Sequence, residues 1–185
     1  MKKSHNKEVP MNEVIKVLTE RRSIRKFKSE MPSKADLEQI IDAGLYAASG
    51  MGKQAAIVIA VTDKELRDKI SEDNRKIMGA PEGFDPFYGA PAILMVLADR
   101  SVPTHVYDGS LMLGNLMNAA HSLGLGSIWI HRCREEFEQD DYKNLLADLG
   151  VEGDFVGIGH LAVGYTDGEV PVAVPRKEDR VYWCE

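Results

Sequence analysis

Three stretches of this chain gather groups that bind anions or polar ligands. Residues 21–25, RRSIR, hold Arg21, Arg22, Ser23 and Arg25. Guanidinium forks pair with phosphate or carboxylate in bidentate fashion, and a hydroxyl adds a further donor. The same arginines can instead complement the carboxyl end of a preceding helix, and the stretch alone leaves both readings open. Residues 47–56, AASGMGKQAA, contain Ser49, Gly50, Gly52, Lys53 and Gln54. A Walker loop needs a glycine, four residues, then Gly-Lys-Ser/Thr, so that backbone N–H groups cradle phosphates and the hydroxyl takes magnesium. Counted back from Gly52 and Lys53, the first glycine's place is Ala47, and the hydroxyl's place is Gln54. Both ends fail, which argues against a nucleoside triphosphatase and leaves an amide-rich helix-to-strand turn. Near the end, PRKEDR supplies Arg176 and Lys177 behind Pro175; on its own it reads as a solvated charge run.

Hydrolytic machinery is missing. His105, His121, His131 and His160 are scattered, with no pair spaced as metal ligands on one helix face. His131 and Cys133 share a face of an extended chain without forming a nucleophile–base pair, so Cys133 reads as a structural thiol. There is no G-x-S-x-G elbow, and GLGSIW and GIGH lack the full dinucleotide fingerprint. A chain with anion donors but no acid–base set of its own points to a cofactor that carries the chemistry. No catalytic side chain is expected.

Alternating elements must position these groups. Val14, Ile15, Val17 and Leu18 form a helical face over residues 11–20. Ser33 and Asp36 read as an N-terminal cap for a helix with Leu37, Ile40, Ile41 and Leu45 as its buried stripe. AAIVIAV, AILMVLA, SIWI and FVGIGHLAVGY read as strands. Asp63 caps a helix over residues 64–78, and the Gly/Pro-rich residues 79–91 read as a lid or pocket wall. Residues 107–123 form a helix apolar almost all round, suited to the centre of the fold or a subunit interface, with Gly124 as its C-terminal cap. EEFEQDDYKNLLADLG reads as one surface helix, and the tail is irregular.

The 185 residues, 44% of them hydrophobic, suit a single folded domain over residues 1–185, with a flexible stretch of about ten residues at its start. A formal charge of −6 disfavours nucleic acid as a partner. MKKSHNKEVP is basic, but Asn12, Glu13, Lys16 and Glu20 break the apolar segment a signal peptide needs. No apolar run of about eighteen residues could span a membrane, and Cys133 and Cys184 suggest no disulfide framework. A cytoplasmic protein is expected.

Taken in order, RRSIRKF, YAASGMGKQAAIVIAV, YGAPAILMVLAD, DGSLMLGNLMNAAHSLGLGSIWIH, GIGHLAVGY and VPRKEDRVYW resemble the FMN-dependent nitroreductase family over nearly the whole chain. Each motif is weak alone; their order and spacing are specific. The resemblance implies an α+β fold: a mostly antiparallel central sheet flanked by helices, a long central helix, and an intertwined homodimer with FMN at the interface. It assigns the FMN phosphate and ribityl chain to Arg21, Arg22, Ser23 and Arg25 with Arg176 and Lys177. Ser49, Gly50, Gly52 and Gln54 would pack against the flavin from the partner chain, and the backbone of Ile130, His131 and Arg132 would face the ring and its N5 edge. Either Arg25 or Lys53 would serve as a donor near the N1–C2=O edge.

The loop departs from the family's proline-serine-x-x-asparagine-x-glutamine stretch. Ala48 stands for proline and Gly52 for asparagine, while Ala55 and Ala56 replace a proline and a large aromatic. The lost amide bears on the flavin's reduction potential, whereas phosphate contacts are untouched. The implied activity is transfer of hydride from NADH or NADPH through flavin N5 to a small electron acceptor such as a nitroaromatic or quinone, in ping-pong order. A flavin carrier or redox sensor, and a flavin-consuming or dehalogenating relative, are the alternatives on the same fold.

Overall fold

The apolar run Ala92 to Ala98 forms the middle of the molecule. In the computed structural model, which describes residues 12–185, it makes up β2 (Ala92–Asp99), and each of these seven residues is fully buried. A strand covered on both faces has no need of polar alternation. β1 (Ala56–Val61) pairs with one edge of β2 and β4 (Phe155–Gly164) with the other. β3 (Gly126–Ile130) adds to β4, completing the order β1-β2-β4-β3 with every pairing antiparallel.

Side chains of β2 point alternately to two layers. Leu94, Val96 and Ala98 meet α2 (Lys34–Leu45) and α4 (His105–Ser122). Ile93, Met95 and Leu97 meet α3 (Lys64–Met78), α5 (Cys133–Phe137) and α6 (Asp140–Asp148). The expected α+β architecture with an antiparallel sheet is the one observed. The cap signals also hold. Ser33 Oγ accepts from Asp36 N at 3.0 Å and Asp63 Oδ1 from Leu66 N at 2.8 Å. Gly124, at φ 76°, lets Leu125 N–H return to Ala120 O at 2.9 Å and close α4. The flexible start expected for the first ten or so residues lies outside the described residues.

Two expectations change. The single helix over 135–150 is two, because Gln139 is extended (φ −86°, ψ 148°) and turns the chain between α5 and α6. That turn buries Phe137 and Tyr142 side by side, their rings 5.3 Å apart, so this segment is not a simple surface helix. α4 is apolar on both sides, as expected: Met112, Leu113, Leu116 and Ala120 face the core, while Tyr107 and Leu111 are 71% and 51% exposed.

Residues 79–91 are a fastened segment, not a lid. Phe87 is fully buried, its ring 5.3 Å from that of His160. Asp85 accepts from Arg67 Nη2 at 2.5 Å, Ser71 Oγ at 2.7 Å, Phe87 N at 2.8 Å and Gly89 N at 2.7 Å. Burial alone would push the Asp85 carboxyl up, but these donors outweigh it and hold it below the usual range. A depressed folded-state value contributes stability above the unfolded carboxylate value and loses it as pH falls through the folded value. Asp85→Asn is therefore expected to lose about 2–3 kcal/mol at neutral pH, with the gap to wild type narrowing below about pH 4. Urea melts of both proteins across that pH range test this.

Candidate functional site

α1 (Glu13–Glu20) delivers the basic stretch to the sheet. Ser23 forms a parallel bridge with Ser127, and Ile24 N–H donates to Ser127 O at 3.1 Å, so residues 21–25 lie beside the start of β3. The arginines there divide their work. Arg22 Nη1 donates to Thr19 O at 2.7 Å and Arg21 O at 2.8 Å, capping α1. Arg21 and Arg22 both line a recess of about 150 Å³ with His121, Ser127 and Thr166, but Arg21 Nη1 is buried there with no hydrogen-bond partner. A buried unpaired donor costs on the order of 1–3 kcal/mol, more when charged. Burial, then Arg22, pull the Arg21 pKa down, and burial followed by Arg21 does the same to His121. The recess is electropositive and short of an acceptor. Ser23 is half-buried at its edge and Arg25 is exposed.

β3 leads from this recess to a second feature. At about 3.3 Å per residue, His131 stands about 13 Å along the chain from Ser127. The Ile130 side chain is in the core, so only its backbone can face outward. His131 and Arg132 open a cleft of about 610 Å³ with Trp129, Arg100, His105 and Ser110. Trp129 Nε1 is buried there without a partner, and Arg132 is left-handed (φ 78°, ψ 4°), an uncommon state for a non-glycine residue.

Behind the cleft runs a fully buried polar network. Asn74 Nδ2 donates to His131 O at 2.9 Å and to Glu136 Oε1 at 2.6 Å, while its Oδ1 accepts from Arg132 Nε at 2.9 Å. His160 Nε2 lies 2.7 Å from Glu136 Oε2, off the line of a hydrogen bond. Burial pushes the His160 imidazole down, but Cys133 and Glu136 outweigh it and raise it to about 10. Cys133 is fully buried, as expected of a structural thiol.

The other expected residues sit apart from both features within one chain. Gly50 N–H donates to Asp108 Oδ1 at 3.0 Å, and Thr104 Oγ1 donates to Asp108 Oδ2 at 3.1 Å, fixing the 47–56 loop on the start of α4. Ser49 Oγ accepts from Gln54 N at 3.1 Å, and Gly52, Lys53 and Gln54 are exposed. Val106 and Ser110, facing the cleft, are two positions on from Thr104 and Asp108 and so about 200° round the helix. The loop and the cleft occupy opposite sides of α4. In the tail Arg176 and Lys177 are both exposed, and Arg176 donates to Val174 O.

Asn74, Glu136, His160, His121 and Trp129 were not among the expected site residues. One signal for Asn74 is legible in hindsight: Arg67, Ile70, Ser71 and Asn74 form a single helical stripe, so three polar residues occupy core positions of α3.

This geometry has counterparts in known proteins. The chain is 36% identical over 146 residues to the FMN reductase [NAD(P)H] of Bacillus subtilis, covering 67% of this chain but only 56% of that protein. The crystal structure of a nitroreductase with bound FMN from Desulfitobacterium hafniense superimposes with a TM-score of 0.84 at 29% identity, covering 95% of this chain and 100% of the other. The Bacteroides fragilis nitroreductase with bound FMN gives 0.83 at 26% identity over the same shares. The model of the nitroreductase family matches residues 18–165, which takes in Arg21, the loop, the sheet and the cleft. With that match and the shared fold, the chain belongs to the nitroreductase family.

Proposed function

We propose that this protein is an NAD(P)H-dependent FMN oxidoreductase, acting as a cytoplasmic homodimer on small electron-poor acceptors such as nitroaromatics and quinones. The observation that carries the reading is half-buried Arg21, whose Nη1 is buried without an acceptor at one end of β3, with an open cleft at the other. A ribityl phosphate fits that division, its anion at Arg21 and Ser23 and its ring at the backbone of Ile130 to Arg132. Bound FMN would supply acceptance of hydride from NADH or NADPH and its return to the acceptor, in ping-pong alternation at one face. The chain's residues bind, orient and exclude water; no side chain needs to act as acid or base.

The homodimer rests on uncovered apolar surface. Val14, Ile15 and Leu18 of α1 are 67%, 46% and 52% exposed, and Tyr107 and Leu111 lie on the outer side of α4. In the tail, Val172, Tyr182 and Trp183 are more than 80% exposed. Apolar surface on this scale marks an interface, and a second copy supplies cover for all three segments. It would also bring a Ser49–Gln54 loop to each cleft from the neighbouring chain. Both cysteines are free thiols, which suits the reducing cytoplasm.

The expected result on purification is a yellow dimer that takes up FMN stoichiometrically and oxidises NADH or NADPH when a quinone is supplied. A colourless protein whose melting temperature is unmoved by FMN would refute the reading. Flavin uptake without oxidation of either nucleotide would leave a carrier or sensor instead.

A further inference from the structure

We propose that Asn74, backed by Glu136 and His160, is a positioning residue that holds the His131–Arg132 turn in its left-handed form and thereby sets the reduction potential of the flavin at the cleft. The inference rests on the flavin reading above. Its evidence is the network of buried groups from α3, α5 and β4 that meets at these two neighbouring residues.

The turn does not hold itself. Arg132 occupies a conformation that L-residues adopt at a cost, and as the cap of α5 it makes no side-chain cap bond. Asn74 meets it from behind at two points, His131 O and Arg132 Nε, each at 2.9 Å. The amide is kept in that orientation by Glu136 Oε1 at 2.6 Å, and the carboxylate's other oxygen lies beside His160. All three side chains are fully buried, so none can turn to water when a partner is lost. Cys133 stands close enough to Glu136 and His160 to suggest a metal ligand set. Glu136 Oε1 is taken by Asn74, which ties the cluster to the turn.

Peptide geometry carries the effect to the other side. The 131–132 peptide is trans, and in a planar trans peptide C=O and N–H point in opposite directions. With His131 O drawn toward α3 on one face of the sheet, Arg132 N–H is directed toward the face that α4 covers, where the cleft lies. Among the described residues that N–H donates to no acceptor. N5 accepts a hydrogen bond in the oxidised ring and carries a hydrogen in the reduced one, so a donor fixed there before flavin binds favours the oxidised ring.

The test is the midpoint potential of FMN in the holoprotein, measured beside its dissociation constant. Asn74→Ala is expected to raise the preference for reduced over oxidised FMN about tenfold, about 30 mV upward for a two-electron couple. Affinity for oxidised FMN should change less than threefold, since the Arg21 recess is untouched. Adding Arg132→Gly to Asn74→Ala should restore the potential, because glycine adopts the turn unaided. If Asn74→Ala does not fold, Asn74→Ser, too short to span both partners, carries the same expectation. A purely structural role predicts a lower melting temperature with the potential unmoved, and a yellow variant with the wild-type potential overturns the proposal alone. A wild type that takes no flavin overturns it together with the flavin reading.

Discussion

Arg21→Ala is expected to weaken FMN binding about ten- to a hundredfold while leaving riboflavin almost unaffected. The guanidinium contributes one charge-assisted contact to the phosphate, worth about 1.5–3 kcal/mol, and each 1.4 kcal/mol is about tenfold in affinity. Riboflavin has no phosphate to lose. The change also removes a buried donor that the free protein leaves unpaired, so the apoprotein should be no less stable than wild type. A loss of binding combined with an unchanged or higher melting temperature separates this from general damage. The sequence motifs put Arg176 on a par with Arg21. Within one chain Arg176 is exposed and already turned onto Val174 O, which is the ground for expecting a smaller loss there. Arg176→Ala should cost less than about threefold, corresponding to at most the 0.5 kcal/mol or so of an ordinary surface change. Flavin fluorescence titrations with FMN and riboflavin decide between the outcomes. Equal FMN affinity in wild type and Arg21→Ala would remove the phosphate from this recess.

Gly157→Ala is expected to be the most damaging small substitution near the site, at about 3 kcal/mol or more. A Cβ there would lie 2.2 Å from Cys133 O, 2.3 Å from Cys133 C and 2.7 Å from Arg134 N. All three are backbone atoms, so no side chain can swing away. Overpacking that a flexible group could absorb costs about 1–3 kcal/mol; here β4 and the start of α5 must part. Their separation would disturb the Arg132 turn, so FMN binding should weaken in the fraction that remains folded. Chemical denaturation of wild type and Gly157→Ala measures the first effect. A stability loss under about 1 kcal/mol would contradict the geometry.

Local signals were legible where the physics is local. Ser33, Asp63 and Gly124 cap their helices because a side-chain oxygen or a left-handed glycine satisfies the ends whatever packs nearby. The apolar runs of β1 and β2 both read as buried strands, but only the pairings decide that β2 is central and β1 an edge. The break at Gln139 left no such mark: its extended backbone follows from the burial of Phe137 and Tyr142, a tertiary demand. Phe87 looked like part of a mobile cover because its neighbours are glycine and proline. Its anchoring depends on Arg67 and Ser71, which lie across the loop on α3. The same limit applied to the site. Arg21 and Arg22 are indistinguishable in the sequence, and only the end of α1 decides that Arg22 is a cap while Arg21 is left unpaired. Asn74 lies 57 residues from His131, a distance over which no motif extends.

The placement of the loop and the cleft on opposite sides of α4 bears on inheritance. In the proposed dimer each flavin would be shared: Arg21 and the cleft from one chain, the Ser49–Gln54 loop from the other. A chain defective at Arg21 and a chain defective in the loop would each form inactive homodimers. Paired together, they would place both defects in one site and leave the second site wholly intact. Two broken copies of the gene in one cell should then complement each other, with up to half of the wild-type flavin sites restored in every mixed dimer. Two copies defective on the same side would not.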